Sequence, residues 1–392
     1  MTFSMKCLAG MALAVLFVPL SPHLAAQSLE ELNVQIHGYA TQGFLYTSQN
    51  NILTTNSSGG SAAWTEAVVN LSAMPMPKLR VAVQARYSLI GTVGNTVTLD
   101  YASAEYKWND KFLVRFGKVK TPSGLWNEVQ DIDPSYLWSL LPQSVYPILS
   151  RNSSLAQYGG VVHGTIPLGE RLGKVEYTGW GGLTELAADD GYFTIEHNNG
   201  IALPSGFSVG TEGAGLRWKT PIAGLIVGAN DQRNNATTAP ATLGGGAFTG
   251  IDTERVFHWP DYYARYEHSR FMVAGEWARL DPGIVFSFVK GPTIPVAVDT
   301  RAWYGMVSYK VTEKLTAGLY DSQFFNRGAA LGPGRFSKDW AVSGRYDFSE
   351  FVYVKAEQHF IDGTGIGYSN ANNSGGLQPD TRLSILKIGV VF

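Results

Sequence analysis

The chain has 392 residues, of which 16% are charged and 44 are glycine, with 10 Trp, 19 Tyr, 19 Phe, a single Cys and a formal net charge of −2. The aromatic content excludes a disordered chain, the charge balance argues against a nucleic-acid-binding domain, and a mean hydropathy of −0.04 excludes a bundle of apolar membrane helices. A large all-β protein or a transmembrane β-barrel remains.

Residues 1–26 have the pattern of a cleaved export signal. Lys6 precedes an apolar stretch from Cys7 to Pro19, and Leu24-Ala25-Ala26 supplies the small residues of a cleavage site. Cys7 lies before the apolar core, where a lipidation site would follow it. Cleavage after Ala26 leaves 27–392 as one domain without cysteine, so neither disulfides nor thiolate-bound zinc stabilise it.

Beyond Gln27 the dominant period is two, the mark of strands with one apolar face. Leu79, Val81, Val83, Ala85 and Tyr87 alternate with Arg80, Ala82, Gln84, Arg86 and Ser88, and Trp340, Val342, Gly344, Tyr346 and Phe348 behave likewise. Between Thr96 and Lys107 the parity switches, which a β-bulge explains. Strands are expected at 33–47, 63–74, 79–90, 96–107, 112–120, 155–167, 173–182, 206–219, 223–233, 254–268, 270–280, 300–311, 314–323, 337–348, 351–361 and 381–392. The connections are of two kinds. Pro75-Met76-Pro77-Lys78, Thr312-Glu313 and Ser349-Glu350 are short, whereas 48–62, 121–154, 183–205, 234–253, 281–299 and 362–380 are long and rich in Gly, Asn, Ser, Thr and Pro. This alternation predicts an antiparallel transmembrane β-barrel of about sixteen strands, with tight periplasmic turns, long external loops and both termini inside.

The last strand places Leu386, Ile388, Val390 and Phe392 on one face and ends on Phe392, a pattern that resembles the signal read by the bacterial barrel-assembly machinery. Tyr46, Trp64, Tyr106, Trp108, Trp218, Trp277, Trp303, Tyr309, Phe348 and Tyr353 fall near strand ends and suit aromatic girdles at the two membrane surfaces.

One connection differs from the rest. Residues 115–128 run Arg-Phe-Gly-Lys-Val-Lys-Thr-Pro-Ser-Gly-Leu-Trp-Asn-Glu, followed by Val-Gln-Asp-Ile-Asp and, at 140–147, Leu-Leu-Pro-Gln-Ser-Val-Tyr-Pro. The segment resembles the Gram-negative outer-membrane porin superfamily, in particular its phosphate-selective-porin-like branch. Gly117, Lys118, Lys120, Pro122, Gly124, Asn127, Asp131, Pro142, Gln143, Ser144 and Tyr146 carry the match. The resemblance implies that 121–150 folds into the lumen and narrows the pore, with Asn127 among the constriction residues, and that the barrel forms a homotrimer. Independently, Leu125, Trp126, Leu137, Trp138, Leu140 and Leu141 are too apolar for a freely solvated loop and need a wall to pack on. Trp126, Trp138 and Tyr146 are the expected packing residues; a neighbouring protomer or the outer barrel face is the alternative wall.

Alternation places the basic Arg80, Arg86, Arg115, Arg217, Arg265, Arg345, Lys355 and Lys387 on the inward face. The acidic Glu66, Glu105, Glu176, Glu267, Glu276 and Glu357 share it. Asp131, Asp133 and Glu128 could face Arg115, Lys118 and Lys120 across the constriction and set up a transverse field; the alternative is that these charges pair along the wall and select weakly. Lys118 and Lys120 have a parity opposite to Arg115, so gathering all three needs a bulge. A long one-sided ladder of Arg and Lys is missing, so phosphate selectivity is not carried over.

No His-Glu-x-x-His pattern occurs, and Gly206-Phe207-Ser208-Val209-Gly210 continues as a strand where a nucleophile elbow would turn into a helix. Neither a cofactor nor a metal is implied. The sequence therefore predicts a non-enzymatic porin, exported through the Sec pathway to the bacterial outer membrane. It would lie among lipid and lipopolysaccharide and pass small hydrophilic solutes or ions. A substrate-specific channel for organic anions or sugars, guided by Trp126, Trp138 and Tyr136, is the second possibility. A barrel enzyme or a closed structural or adhesive barrel is the third.

Overall fold

A computed structural model describes residues 32–90 and 95–392; the signal predicted over 1–26, with Cys7, lies outside the described residues. In chain order the strands are β1 (Gln35–Thr47), β2 (Ser61–Met76), β3 (Leu79–Ile90), β4 (Asn95–Asn109), β5 (Phe112–Lys120), β6 (Ala156–Pro167) and β7 (Lys174–Leu186). They continue with β8 (Ile201–Ala202), β9 (Phe207–Lys219), β10 (Leu225–Asn234), β11 (Thr237–Leu243), β12 (Phe248–Glu254), β13 (Phe257–His268) and β14 (Phe271–Leu280). The last are β15 (Gly283–Phe288), β16 (Thr293–Ala297), β17 (Thr300–Lys310), β18 (Leu315–Asn326), β19 (Phe336–Asp347), β20 (Val352–Asp362) and β21 (Asp380–Val391).

Sixteen of these strands form a closed barrel, in the order β1 to β7, β9, β10, β13, β14 and β17 to β21. Every neighbour is antiparallel, and β1 pairs with β21 from Tyr39↔Val391 to Thr47↔Leu383. Closure pairs every barrel strand on both sides and leaves no open edge, which is why a cysteine-free barrel can stand in a medium without water. All sixteen predicted strands are present. The parity switch has the predicted cause: the β3–β4 register shifts between Gln84 and Ala85, where Asp100 is the extra residue. Val97 and Leu99 point outward on one side of the bulge, while Tyr101 and Glu105 point inward on the other.

The outer surface is apolar, with Leu71, Val97, Phe116, Leu216, Val342 and Leu386 all exposed. So continuous an apolar surface needs lipid against it. Trp108, Phe112, Trp218, Phe271, Tyr309 and Phe348 ring the short-turn end, and Tyr46, Tyr262, Trp303, Trp340 and Phe360 the long-loop end. Two expected girdle residues point the other way. Trp64 is buried inside with the Lys387 ammonium 4.0 Å from its ring, and Tyr353 hydrogen-bonds inward to Asp133. Strand-end position alone does not separate the two faces.

A second sheet, in the order β16-β15-β12-β11-β8, rises from the loops at the long-loop end. Three segments expected as long loops (183–205, 234–253 and 281–299) thus contribute strands. Their apolar alternation, as in Ile284, Phe286 and Phe288, is embedded in Gly-, Thr- and Pro-rich sequence. The inner face of this cap packs with Phe193, Ile201 and Leu203 onto the inward barrel residues Leu186 and Val209.

Candidate functional site

The segment between β5 and β6 runs through the barrel interior and is tied to wall strands far away in sequence. At its neck, the Asn127 amide donates to the carbonyls of Thr121 (2.7 Å) and Ser154 (3.0 Å). Gly124 then turns with φ +67°, its N–H donating to Asn230 of β10 at 2.8 Å. A Cβ there would lie 2.3 Å from a Glu276 carboxylate oxygen and 2.5 Å from the Tyr146 hydroxyl, so only glycine fits. The Tyr146 hydroxyl accepts from the Leu125 and Trp126 amides at 2.8 and 2.9 Å and donates to Glu276 at 2.7 Å. The Trp126 indole donates to Tyr304 at 2.8 Å. Leu125, Trp126, Leu137, Trp138, Leu141 and Val145 pack on Tyr263, Ala274, Ala302, Met306 and Tyr320. Each fully buried large side chain contributes about 1.5–3 kcal/mol.

The opposite end of the loop is held by charge. Asp131 pairs with Lys120 at 2.7 Å, accepts from Gln84 at 2.6 Å and offers its carbonyl to Tyr39 at 2.9 Å. Asp133 pairs with Lys355 (3.0 Å) and Lys387 (2.8 Å) and accepts from Tyr353 at 2.6 Å. Glu357 accepts from the amides of Ser139 and Leu140, each at 3.0 Å. Arg345 donates to the carbonyls of Pro134 and Tyr136. Near β6, Arg151 forms a buried pair with Asp100 at 2.8 Å. Buried charges persist when each is paired and hydrogen-bonded, as these are.

These contacts reassign several of the expected pore residues. Asp131 and Asp133 are 1% and 2% exposed and anchor the loop, so they present no charge to the lumen. Arg86 is consumed by Glu66 at 2.8 Å, and Asn127 is a neck clasp. Lys118 points out of the barrel, with its ammonium on the Leu99 carbonyl at 2.6 Å and 5.4 Å from the Tyr158 ring, because it shares the outward parity of Phe116. Lys120 has the same parity but ends its strand, and its long stem swings back inward to Asp131. No bulge in β5 brings Arg115, Lys118 and Lys120 together. Trp126 and Trp138 are buried against the wall and cannot guide a solute.

A run of half-exposed inward charges lies on β4 to β13. Arg115 pairs with Glu105 (2.8 Å) and lies 3.6 Å from Glu128 of the loop; His163 meets Glu105 at 3.0 Å. Glu176 lies between Arg217 (3.8 Å) and Lys219, and Arg265 is 3.8 Å from Glu267. Arg80 is exposed near the short-turn end, with Ser72 3.4 Å away. Both signs therefore stand side by side on the wall that the loop leaves uncovered.

His359 lies between Asp339 (2.9 Å) and Glu357 (2.8 Å), an arrangement that needs a donor on both ring nitrogens. Sequence reasoning missed His359, Arg151 and Tyr304, whose partners are far away in the chain. The Ser343 hydroxyl bonds Glu357 rather than this imidazole, and Ser208 lies in the continuous strand β9. Among the described residues, no three His, Cys, Asp or Glu are grouped to hold a metal ion.

No protein-family model matches the chain, and no curated protein matches it in sequence. Solved structures do resemble it. OmpF of Salmonella typhi is 12% identical with a TM-score of 0.57 over 92% of this chain and 97% of that one. The anion-selective porin of Comamonas acidovorans is 10% identical with a TM-score of 0.54 over 92% and 99%. OmpT of Vibrio cholerae, described in a trimer form, is 14% identical with a TM-score of 0.53 over 92% and 99%. The fold is thus the sixteen-stranded barrel of outer-membrane porins.

Proposed function

We propose that the protein is an outer-membrane channel for passive diffusion of small hydrophilic solutes and ions, narrowed by the 121–150 loop. The carrying observation is the division of the lumen. The loop is bolted to β1, β3, β10, β14 and β17 to β21, while Glu105, Arg115, His163, Glu176 and Arg217 stay half-exposed on β4 to β7 and β9. A water-filled passage needs such a hydrated wall, and a sealed core would not keep it. The mixture of signs fits weak ion selectivity. A non-enzymatic role agrees with the use of His359 as a brace.

Lipid and lipopolysaccharide would cover the apolar belt, and Phe392 would be read by the barrel-assembly machinery. A homotrimer would follow the trimer form of the Vibrio protein. Native gels that resist detergent until heated would support it.

Swelling of proteoliposomes in neutral sugars of graded size tests the channel. Small sugars should enter and large ones not, and deleting 125–140 should raise both the size limit and the conductance. An unchanged limit would remove the constricting role of the loop.

A further inference from the structure

A cavity of about 350 Å³ lies at the external end, between the inserted loop, the cap and the barrel wall. Leu149, Ile195, Trp259, Ile284 and Phe324 make most of its lining apolar. Glu196, in the short helix Thr194–Asn198, also lines it; it is only 4% exposed, and its Oε2 has no hydrogen-bond partner. Behind it lie Asp252 and Glu254, both buried, with the Tyr192 hydroxyl 3.5 Å from Glu254. Among the described residues, none of these three carboxyls has a Lys, Arg or His partner. The one arginine in the lining, Arg279, is already taken by Asp281 (2.8 Å) and Asp299 (3.0 Å).

We propose that this chamber binds organic cations that combine an apolar body with a single ammonium group, Glu196 serving as counter-ion. The proposal rests on the channel reading only for how the ligand arrives. An apolar chamber of this size with one convergent polar group suits a small amphiphile. The ammonium would make a charge-assisted bond to Glu196, and Trp259 supplies an aromatic ring to the lining. A bare metal ion fits poorly, since the described carboxyls do not converge on a chelating site. A sugar would leave its hydroxyls unpaired against the apolar walls. Burial pushes Glu196 up to about 7, with Asp252 adding to it, so ammonium binding should strengthen as pH rises through that value.

Equilibrium dialysis of the refolded full chain in micelles at pH 8, with empty micelles as the blank, tests this. The probes are 2-phenylethylamine, 2-phenylethanol and phenylacetate, which share one body and differ in charge. The amine should bind at one site at least tenfold more tightly than the alcohol, and the acetate more weakly than either. Glu196→Gln should bring the amine to the level of the alcohol. Ile195→Trp, which adds bulk to the chamber lining and keeps all three acids, should abolish binding of both. Equal binding of the three probes, or a tenfold preference that survives Glu196→Gln, would overturn the proposal. Conductance without amine binding removes the chamber alone; amine binding without conductance removes the channel and leaves the chamber.

Discussion

Lys387 on the final strand reaches Asp133 in the inserted loop at 2.8 Å, across 254 residues of sequence, with both side chains almost fully buried. Lys355 flanks the same carboxylate at 3.0 Å. The last two strands of the barrel therefore carry the cations that fix the position of a loop that leaves the fifth.

Removing the shared anion should be severe. Asp133→Ala leaves two buried ammonium groups without their counter-charge, a loss of about 3–5 kcal/mol. The temperature at which the barrel loses its compact gel migration should fall, and single-channel current should become noisy as the loop detaches. Lys355→Met should do less, because Lys387 still holds the carboxylate.

The neck offers a purely steric test. Gly124→Ala places a methyl against Glu276 and Tyr146 at a backbone angle of φ +67°, and the backbone strain alone is of order 1–3 kcal/mol. Proteolysis within 121–150 should accelerate, while strand hydrogen exchange elsewhere stays unchanged.

Ion selectivity should respond to the half-exposed pair and ignore the outward lysine. Glu128→Gln removes an anion 3.6 Å from Arg115 and should move the reversal potential in a salt gradient toward anions, with a stability change below about 1 kcal/mol. Lys118→Ala should leave the reversal potential where it was. A shift with Lys118→Ala would return that lysine to the pore.

The cap should loosen in alkali. Burial pushes Glu254 up to about 8, with Asp252 and Glu196 adding to it, and burial pushes Asp252 up to about 6. In an unfolded chain these carboxyls ionise near pH 4. The folded cap therefore binds the extra protons, so the stability they contribute is complete below about pH 4 and is lost progressively as pH rises toward 8. Hydrogen exchange of 237–254, corrected for the intrinsic rate, should be faster at pH 9 than at pH 5. Glu254→Gln should flatten the difference.

The barrel was legible because each strand buries one face and offers the other to lipid, a constraint that writes itself into every second residue. Even the bulge at Asp100 showed as a change of parity. The inward placement of Lys355, Lys387, Glu276 and Glu357 was legible in the same way. Their partners were not, since Asp133 meets Lys387 only after the sheet closes. Lys118 misled because a loop motif groups residues by sequence, whereas the strand separates them by face. The cap strands β11, β12 and β15 escaped because their glycines and prolines read as turns.

Single-channel recording of the native protein in a planar bilayer bears most directly on the central claim that the half-exposed wall lines a water-filled passage. Discrete, ohmic current steps are expected, scaling with the conductivity of the bathing salt. A bilayer that stays silent after insertion of protein with intact heat-modifiable migration would contradict the claim and leave a closed barrel.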